Sequence, residues 1–257
     1  MKDMFVETEN YRRFIGALKS VEERGAEEAC LVVVDGDPGL GKTTTLSRWV
    51  VQTGSVYLRA QCGWDYNWFI KDLLAELSVS PESIRGKRDR FARVMQELQF
   101  RAEQAMLEDK VFGLVIDECD LISRRGEIME AIRGISDLQF LPTILVGMGK
   151  LRDDLRRYPQ IESRAPNKVD FRALGVDDVR GLIAGRCEVP VAPDLSEFVA
   201  RASKGHAREV LDAIRAIERF GRRIQYGPDG VACADMASQP IMNDRNTGRA
   251  ILVPGGF

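Results

Sequence analysis

The pattern that most restricts the fold is a series of five short apolar runs, separated from one another by segments with helical periodicity. Buried strands of a parallel sheet read as unbroken apolar stretches, because helices cover both faces. Alternation of such strands with helices indicates βαβ units, and therefore an α/β fold with a five-stranded parallel sheet. The predicted strands are 31–34, 56–60, 111–116, 143–146 and 169–171.

The apolar strand pattern stops after residue 171, and two segments of different composition and periodicity follow. Helical periodicity continues in three segments, 176–186, 194–203 and 207–221. We therefore predict an α/β domain over residues 1–172 and a small helical subdomain over residues 173–222. Residues 223–257 are rich in Gly and Pro without a sustained period, so we expect a tail that is partly disordered or docked on a partner.

Composition excludes several classes of protein. The 257 residues, 44% hydrophobic and 30% charged, suffice for one large or two small packed cores. A net charge of −2 excludes a chain that is basic throughout, so any nucleic-acid contact must be local. Five widely spaced cysteines argue against a disulfide framework or a zinc site, and we expect a reduced cytoplasmic setting.

Two further absences narrow the chemistry. His206 is the single histidine, so general-base duty falls to carboxylates rather than imidazoles. No apolar run approaches the ~20 residues of a membrane span, and the first residues lack a signal-peptide pattern, so no membrane partner is expected.

The strongest local signal is a match to G-x-x-x-x-G-K-[ST] directly after the first predicted strand and before a helical segment. Glycines let backbone N–H groups approach a phosphate, and the helix N-terminus favours negative charge. Lys42 is expected to reach the β- and γ-phosphates of a nucleoside triphosphate, and Thr43 to offer its hydroxyl to Mg²⁺. The candidate phosphate-binding residues are Gly36, Asp37, Pro38, Gly39, Leu40, Gly41, Lys42, Thr43 and Thr44.

A second signal is the apolar strand that ends in Asp117 and Glu118. Asp117 is expected to hold Mg²⁺ through water. Glu118, the next residue, is expected to orient and deprotonate a water for attack on the γ-phosphate. A strand-terminal Asp-Glu pair alone is a common solvated end, but together with the phosphate loop it predicts hydrolysis.

On these motifs, residues 5–222 resemble the AAA+ ATPases, a family with a five-stranded α/β core and a helical lid. The resemblance implies ATP as the nucleotide and assigns residues 173–222 to the lid. It implies that Arg164 is the arginine finger reaching a neighbouring subunit's nucleotide, with Arg156, Arg157 and Arg172 as alternatives. It also implies that Arg208, at the start of the last lid helix, folds over the phosphates as a second sensor.

One part of the AAA+ pattern is missing. After the fourth strand the family usually has a polar sensor residue, but this chain has Val146-Gly147-Met148-Gly149. Slow hydrolysis, stimulated by DNA or a partner, is consistent with that gap.

Within the family, the chain is similar to the DNA-transposition ATPases of the MuB, TniB and TnsC type. The resemblance is carried by the phosphate loop with Thr44 and Thr45, by Val115-Ile116-Asp117-Glu118, and by the run from Ile144 to Leu151. It implies an ATP-bound homo-oligomer, a filament or ring on duplex DNA, that selects the target and activates a transposase. The alternative within the same fold is a helicase-loader or initiator-like ATPase of DNA replication.

A basic segment is the candidate DNA contact. Five basic residues surround one acid, which gives the segment a local charge of +4 and suits it to phosphates rather than bases. The alternative is a solvated helix start, and Arg124 with Arg125 is a lesser candidate surface. The proposed DNA-binding residues are Arg85, Lys87, Arg88 and Arg90, continuing to Arg93.

Three alternatives concern other residues or other classes of protein. The aromatic cluster of Trp64, Tyr66, Trp68 and Phe69 suits packing better than base stacking. A nucleotide-latched signalling switch normally carries further domains after the lid, which residues 223–257 are too short to supply. A small-molecule kinase shares the phosphate loop but needs no arginine finger from a neighbour.

Overall fold

The computed structural model describes residues 1–23, 25 and 29–255. The chain divides into two compact units, which are described separately. We call them the helical unit (Met1–Arg12, Pro38–Gly41 and Phe171–Phe257) and the sheet unit (Arg13–Asp37 and Lys42–Asp170).

The sheet unit is built on five parallel strands: β1 (Leu31–Asp35), β2 (Val56–Arg59), β3 (Leu114–Asp117), β4 (Thr143–Val146) and β5 (Asn167–Asp170). Their order in the sheet is β2-β3-β4-β1-β5. Strands β1, β3 and β4 are buried along their whole length, as their unbroken apolar sequences predict. The predicted α/β class and five-stranded parallel sheet are therefore confirmed.

Helices pack against this sheet, and their apolar faces complete its core. Phe69, Leu73 and Leu74 of one helix and Val94 and Leu98 of the next are buried, as the 3.6-residue spacing predicts. The helices up to residue 170 are α1 (Glu9–Glu22), α2 (Lys42–Thr53), α3 (Tyr66–Glu76), α4 (Lys87–Leu107), α5 (Gly126–Gln139), α6 (Leu151–Leu155) and α7 (Pro159–Glu162).

The aromatic cluster packs largely as expected. Trp64 and Phe69 are buried in the sheet unit's core with ring centroids 5.5 Å apart, and the Trp64 indole N–H donates to Asp72 at 2.8 Å. Tyr66 packs against the same core, whereas Trp68 is 44% exposed. The packing interpretation is confirmed for Trp64 and Phe69.

The helical unit contains the three helices predicted after residue 171: α8 (Val176–Arg186), α9 (Pro193–Ser203) and α10 (Ala207–Gly221). They enclose a second apolar core, in which Val179, Leu195, Val199, Val210 and Ile214 are fully buried. The predicted helix bounds are confirmed to within one residue.

Residues 223–255 differ from the loose tail expected from the sequence. Strands β6 (Pro240–Asn243) and β7 (Ala250–Leu252) pair antiparallel as a hairpin. The segment buries isolated apolar side chains in the core of the helical unit, namely Val231, Cys233, Met236, Ile241, Met242 and Val253. The expectation of disorder is thus corrected over the described residues, because these apolar side chains are buried within the chain itself, whereas docking on a partner stays a prediction.

Among the residues that the structure describes, no helix is both long enough and apolar enough to cross a membrane.

The packing of the hairpin predicts a stability difference between two neighbouring apolar positions. Replacing Ile241, which is 2% exposed, by Ala should lower the free energy of unfolding by about 2–4 kcal/mol, because it leaves a cavity. Leu252→Ala is the matched control, since Leu252 is 52% exposed. Chemical denaturation measures both, and equal stability of the two variants would contradict the packed hairpin.

Candidate functional site

The loop between β1 and α2 has the backbone conformation that its glycines permit. Gly36, Gly39 and Gly41 have φ angles of 147°, 86° and 89°, a region that disfavours residues with a Cβ. Helix α2 begins at Lys42, directly after the last glycine. The loop therefore ends at a helix N-terminus, where backbone N–H groups and the helix dipole favour an anion.

Lys42 is held inside the sheet unit against the start of this loop. Its ammonium donates to the backbone carbonyls of Gly36 and Asp37, the second at 2.9 Å, and the residue is only 8% exposed. Burial lowers the pKa of Lys42, while the carboxylates of Asp117 and Asp35 oppose that shift. The loop thus positions a buried cation whose present partners are neutral carbonyls.

Asp117 is the centre of a hydrogen-bonded cluster at the end of β3. Thr43 donates its hydroxyl to Asp117 Oδ2 at 3.0 Å, and Tyr57 donates its phenol to the same oxygen at 2.6 Å. Burial, followed by the bond to Asp117, raises the pKa of Tyr57, so the phenol remains a neutral donor. The structure thus brings together the two residues predicted to serve Mg²⁺, and adds Tyr57, which the sequence analysis missed.

Glu118 adopts a backbone conformation that is uncommon for this residue. Its φ and ψ angles are 57° and 37°, in the left-handed region, and its side chain forms an ion pair with Arg59 at the end of β2. Arg59 lies beside Asp117 in the β2–β3 register. Arg59 thus holds the Glu118 carboxylate, and the role of Glu118 as the base stays a prediction.

Residues Gly147, Met148 and Gly149 after β4 have no polar side chain, as noted from the sequence, but two carboxylates anchor this segment. Asp35 accepts a hydrogen bond from the Gly149 N–H, and Asp120 accepts one from the Met148 N–H at 2.6 Å. Burial raises the pKa of Asp120. In the sequence, Asp35 and Asp120 lie at or just after strand ends, where acidic residues are too common to identify functional ones.

These oxygen donors fit a hard divalent cation. Asp117 offers a carboxylate and Thr43 a hydroxyl, which suit Mg²⁺ when substrate phosphates and water complete its coordination. Within residues 1–23, 25 and 29–255, no group of three or more His, Cys, Asp or Glu side chains is placed to form an all-protein metal cage. Because Asp117 and Thr43 would supply only part of an octahedral shell, the site suits a Mg²⁺ whose other ligands are water and phosphate oxygens.

Arg164, the candidate arginine finger, has partners within its own chain. Its Nε lies 2.8 Å from Asp137 Oδ1, its Nη1 donates to the Gln160 carbonyl at 2.8 Å, and its side chain is 25% exposed. The alternatives Arg156 and Arg157 are more exposed, at 72% and 57% of the side chain. Arg172 meets Asn10 through its backbone. The identity of the finger stays a prediction.

Arg208 lies at the start of α10 in the helical unit, next to the loop residues that belong to the same unit. Its backbone N–H donates to the Gly39 carbonyl at 3.3 Å, and its Cβ is 3.8 Å from the position that a Cβ on Gly39 would occupy. The structure thus brings Arg208 and the loop together, and the role of its guanidinium as a sensor stays a prediction.

The candidate DNA-contacting residues separate into two kinds. Arg85, Lys87 and Arg88 are exposed around the first turn of α4, and the Lys87 ammonium lies 6.0 Å from the centre of the Tyr66 ring. Arg90 is half-buried and donates to the carbonyls of Pro81 and Ile84 and to the Asn67 side chain. The Arg90 guanidinium therefore also holds the preceding turn in place, and its contact with DNA stays a prediction.

The fold and the loop together define a class of protein. A parallel sheet in which one strand leads into a glycine-rich loop and a helix, and another ends in a carboxylate beside that helix, is the P-loop NTPase fold. A family model described as "AAA domain" matches residues 25–155, just over half of the chain. The chain belongs to this AAA family.

Solved structures share the fold. Cdc6p of Pyrobaculum aerophilum matches 91% of this chain and 68% of its own, with a TM-score of 0.60 and 16% identity. The ORC1 protein of Aeropyrum pernix, solved in complex with DNA, matches 88% of this chain and 63% of its own, with a TM-score of 0.54 and 18% identity. A Walker-type ATPase of Pyrococcus abyssi matches 85% of this chain and 69% of its own, with a TM-score of 0.59 and 16% identity.

The chain spans about two thirds of the length of these structures, and at such identities the likeness shows the fold alone. No curated protein matches the chain by sequence.

The Asp117 cluster predicts a metal-dependent effect of Tyr57→Phe. Loss of the phenol donor should raise the Mg²⁺ concentration needed for half-maximal nucleotide binding by about tenfold, because a hydrogen bond to a metal-binding carboxylate orients it toward the metal. Tyr226→Phe, at an exposed position, is the control. Titration of Mg²⁺ at fixed nucleotide measures the shift, and coincident curves would contradict the orienting role of Tyr57.

Proposed function

We propose that this chain is a Mg²⁺-dependent ATPase that assembles with copies of itself on duplex DNA. The observation that carries the ATPase part is the hydrogen bond between Thr43 and Asp117, with Glu118 adjacent, at the edge where β1 and β3 end. Membership of the AAA family supports ATP as the nucleotide.

Different residues of the sheet unit have different roles in the proposed hydrolysis. Lys42 supplies positive charge to the phosphates, and Thr43 with Asp117 holds Mg²⁺. Glu118 orients a water and accepts its proton during attack on the γ-phosphate. In this structure Glu118 forms an ion pair with Arg59, so this contact has to loosen before the carboxylate can accept a proton from water.

Removing the base while keeping the shape of its side chain tests this mechanism and the assembly together. Glu118→Gln should bind ATP normally, hydrolyse it at least about a hundredfold more slowly, and persist on duplex DNA as a long-lived oligomer, because the triphosphate is not consumed. Glu127→Gln, at an exposed position of α5, is the control. Electron microscopy with duplex DNA and ATP, beside a phosphate-release assay, measures both effects.

Two results would each overturn a separate part of the proposal. Rapid hydrolysis by the Glu118→Gln variant excludes Glu118 as the base. A wild-type chain that stays monomeric with DNA and a non-hydrolysable ATP analogue excludes assembly.

The DNA part of the proposal is supported by the exposed residues Arg85, Lys87 and Arg88, which we call the α4 basic surface. Cations in the first turn of a helix face the positive end of its dipole, which costs rather than contributes stability. Asp89 is the only acidic residue in that turn. Helix stability therefore does not account for Lys87 and Arg88, whereas contact of the α4 basic surface with a phosphate backbone would.

The α4 basic surface predicts a change in salt dependence. Replacing Arg85, Lys87 and Arg88 together by Ala should weaken binding to all duplexes alike. It should also flatten the slope of log affinity against log salt by up to about 0.9 for each phosphate that is no longer neutralised. A variant with Ala at the exposed residues Arg215, Arg219 and Arg223 removes the same charge elsewhere and should keep the slope. Fluorescence anisotropy over a salt series measures it, and equal slopes would assign the α4 basic surface to solvent.

Two biological roles fit such an ATPase. The motif resemblance to the DNA-transposition ATPases supports target selection and activation of a transposase as the leading role. The similarity in fold to Cdc6p and ORC1 supports the alternative, a replication initiator or helicase loader. The partner distinguishes them: ATP-dependent association with a transposase favours the first role, and association with a replicative helicase favours the second.

A further inference from the structure

The β6–β7 hairpin brings an arginine to the phosphate loop from more than two hundred residues away in the sequence. Arg245, in the turn of the hairpin, donates from Nη1 to the Pro38 carbonyl at 2.8 Å. The same nitrogen is 3.4 Å from the position that a Cβ on Gly39 would occupy. Both contacts lie within the helical unit, which includes Pro38–Gly41.

The turn that carries Arg245 is braced by its neighbours. The Asp244 carboxylate accepts hydrogen bonds from the N–H groups of Asn246 and Thr247 and from the Thr247 hydroxyl. These bonds, those to Thr247 first, lower the pKa of Asp244, so the carboxylate stays charged. The strand before the turn is anchored by Ile241 and Met242, which are buried. Arg245 thus lies in a turn that hydrogen bonds and buried neighbours hold in place.

The contact controls the direction of a backbone N–H group. No cis peptide occurs among the described residues, and a trans peptide holds its C=O and N–H antiparallel. A bond that holds the Pro38 carbonyl therefore fixes the Gly39 N–H in the opposite direction. The Arg208 N–H binds the Gly39 carbonyl in the same way and fixes the Leu40 N–H. The contacts from Arg245 and Arg208 thus orient two successive N–H donors of the loop, those of Gly39 and Leu40.

We propose that Arg245 is a positioning residue of the nucleotide site, which holds the phosphate loop ready for a nucleoside di- or triphosphate and links nucleotide binding to the order of the β6–β7 hairpin. The proposal deepens the proposed function and rests on nucleotide binding by the loop. Because linkage is reciprocal, a nucleotide that orders the loop also stabilises the hairpin attached to it. The contact requires a side chain with a donor at the reach of arginine, and lysine meets that requirement in part.

The test compares Arg245→Ala, Arg245→Lys and Arg249→Ala. Arg249 is exposed on the same hairpin, so its replacement removes an equal charge without the contact to Pro38. Calorimetric titration should show ATP and ADP binding weakened about three- to tenfold in Arg245→Ala, the effect of one net hydrogen bond. The Lys variant should recover part of that affinity, and Arg249→Ala should bind as the wild type does.

Hydrogen exchange supplies a readout that a merely structural arginine would not change. In the wild type and in Arg249→Ala, nucleotide should slow amide exchange over residues 240–252, whereas in Arg245→Ala that response should vanish. Equal affinities and equal nucleotide-dependent protection in Arg245→Ala and the wild type overturn the proposal. Absence of any nucleotide binding by the wild type would instead refute the proposed function, so the two failures are distinguishable.

Discussion

The site depends on one constraint, the common direction of the five strands. Parallel strands end at the same edge of a sheet, so the start of the loop after β1 and the carboxylates at the end of β3 lie at one edge although their residues are far apart in the sequence. The 3.0 Å hydrogen bond from Thr43 to Asp117 joins α2 to the end of β3, although the two residues are 74 positions apart in the sequence. Reversing either strand would separate the glycine-rich loop from Asp117, the predicted metal ligand.

Burial explains why the sequence predicted the sheet and the loop so well. Strands covered on both faces must be apolar throughout, and a loop that accepts phosphate needs glycines at fixed spacing, so both leave continuous local patterns. Tyr57, Arg59 and Asp35 do not belong to any such continuous local pattern. Their roles follow from lateral register, such as Arg59 lying opposite Asp117, and register is a property of two strands rather than of one segment.

Residues 223–255 show the opposite limit of local pattern. Their buried side chains, Val231, Met236 and Val253 among them, are separated by turns and follow neither the period of a helix nor that of a strand. A segment that contributes apolar residues singly to an existing core has no amphipathic face of its own, so its sequence resembles a loose tail. The same irregularity left Arg245 without a recognisable sequence pattern, because its contact with Pro38 depends on where the folded hairpin lies.

The hydrogen bonds that hold the phosphate loop differ in whether a bound phosphate would compete for their donors. Its carbonyls at Gly36 and Asp37 accept from the Lys42 ammonium, and those at Pro38 and Gly39 accept from Arg245 and from the Arg208 N–H. An anion that attracts Lys42 competes for the first pair of bonds, because the ammonium is the common donor. It does not compete for the bond from the Arg208 N–H, because that donor is an uncharged backbone group. We therefore expect a phosphate to replace the bonds from Lys42 and to leave the bond from the Arg208 N–H in place.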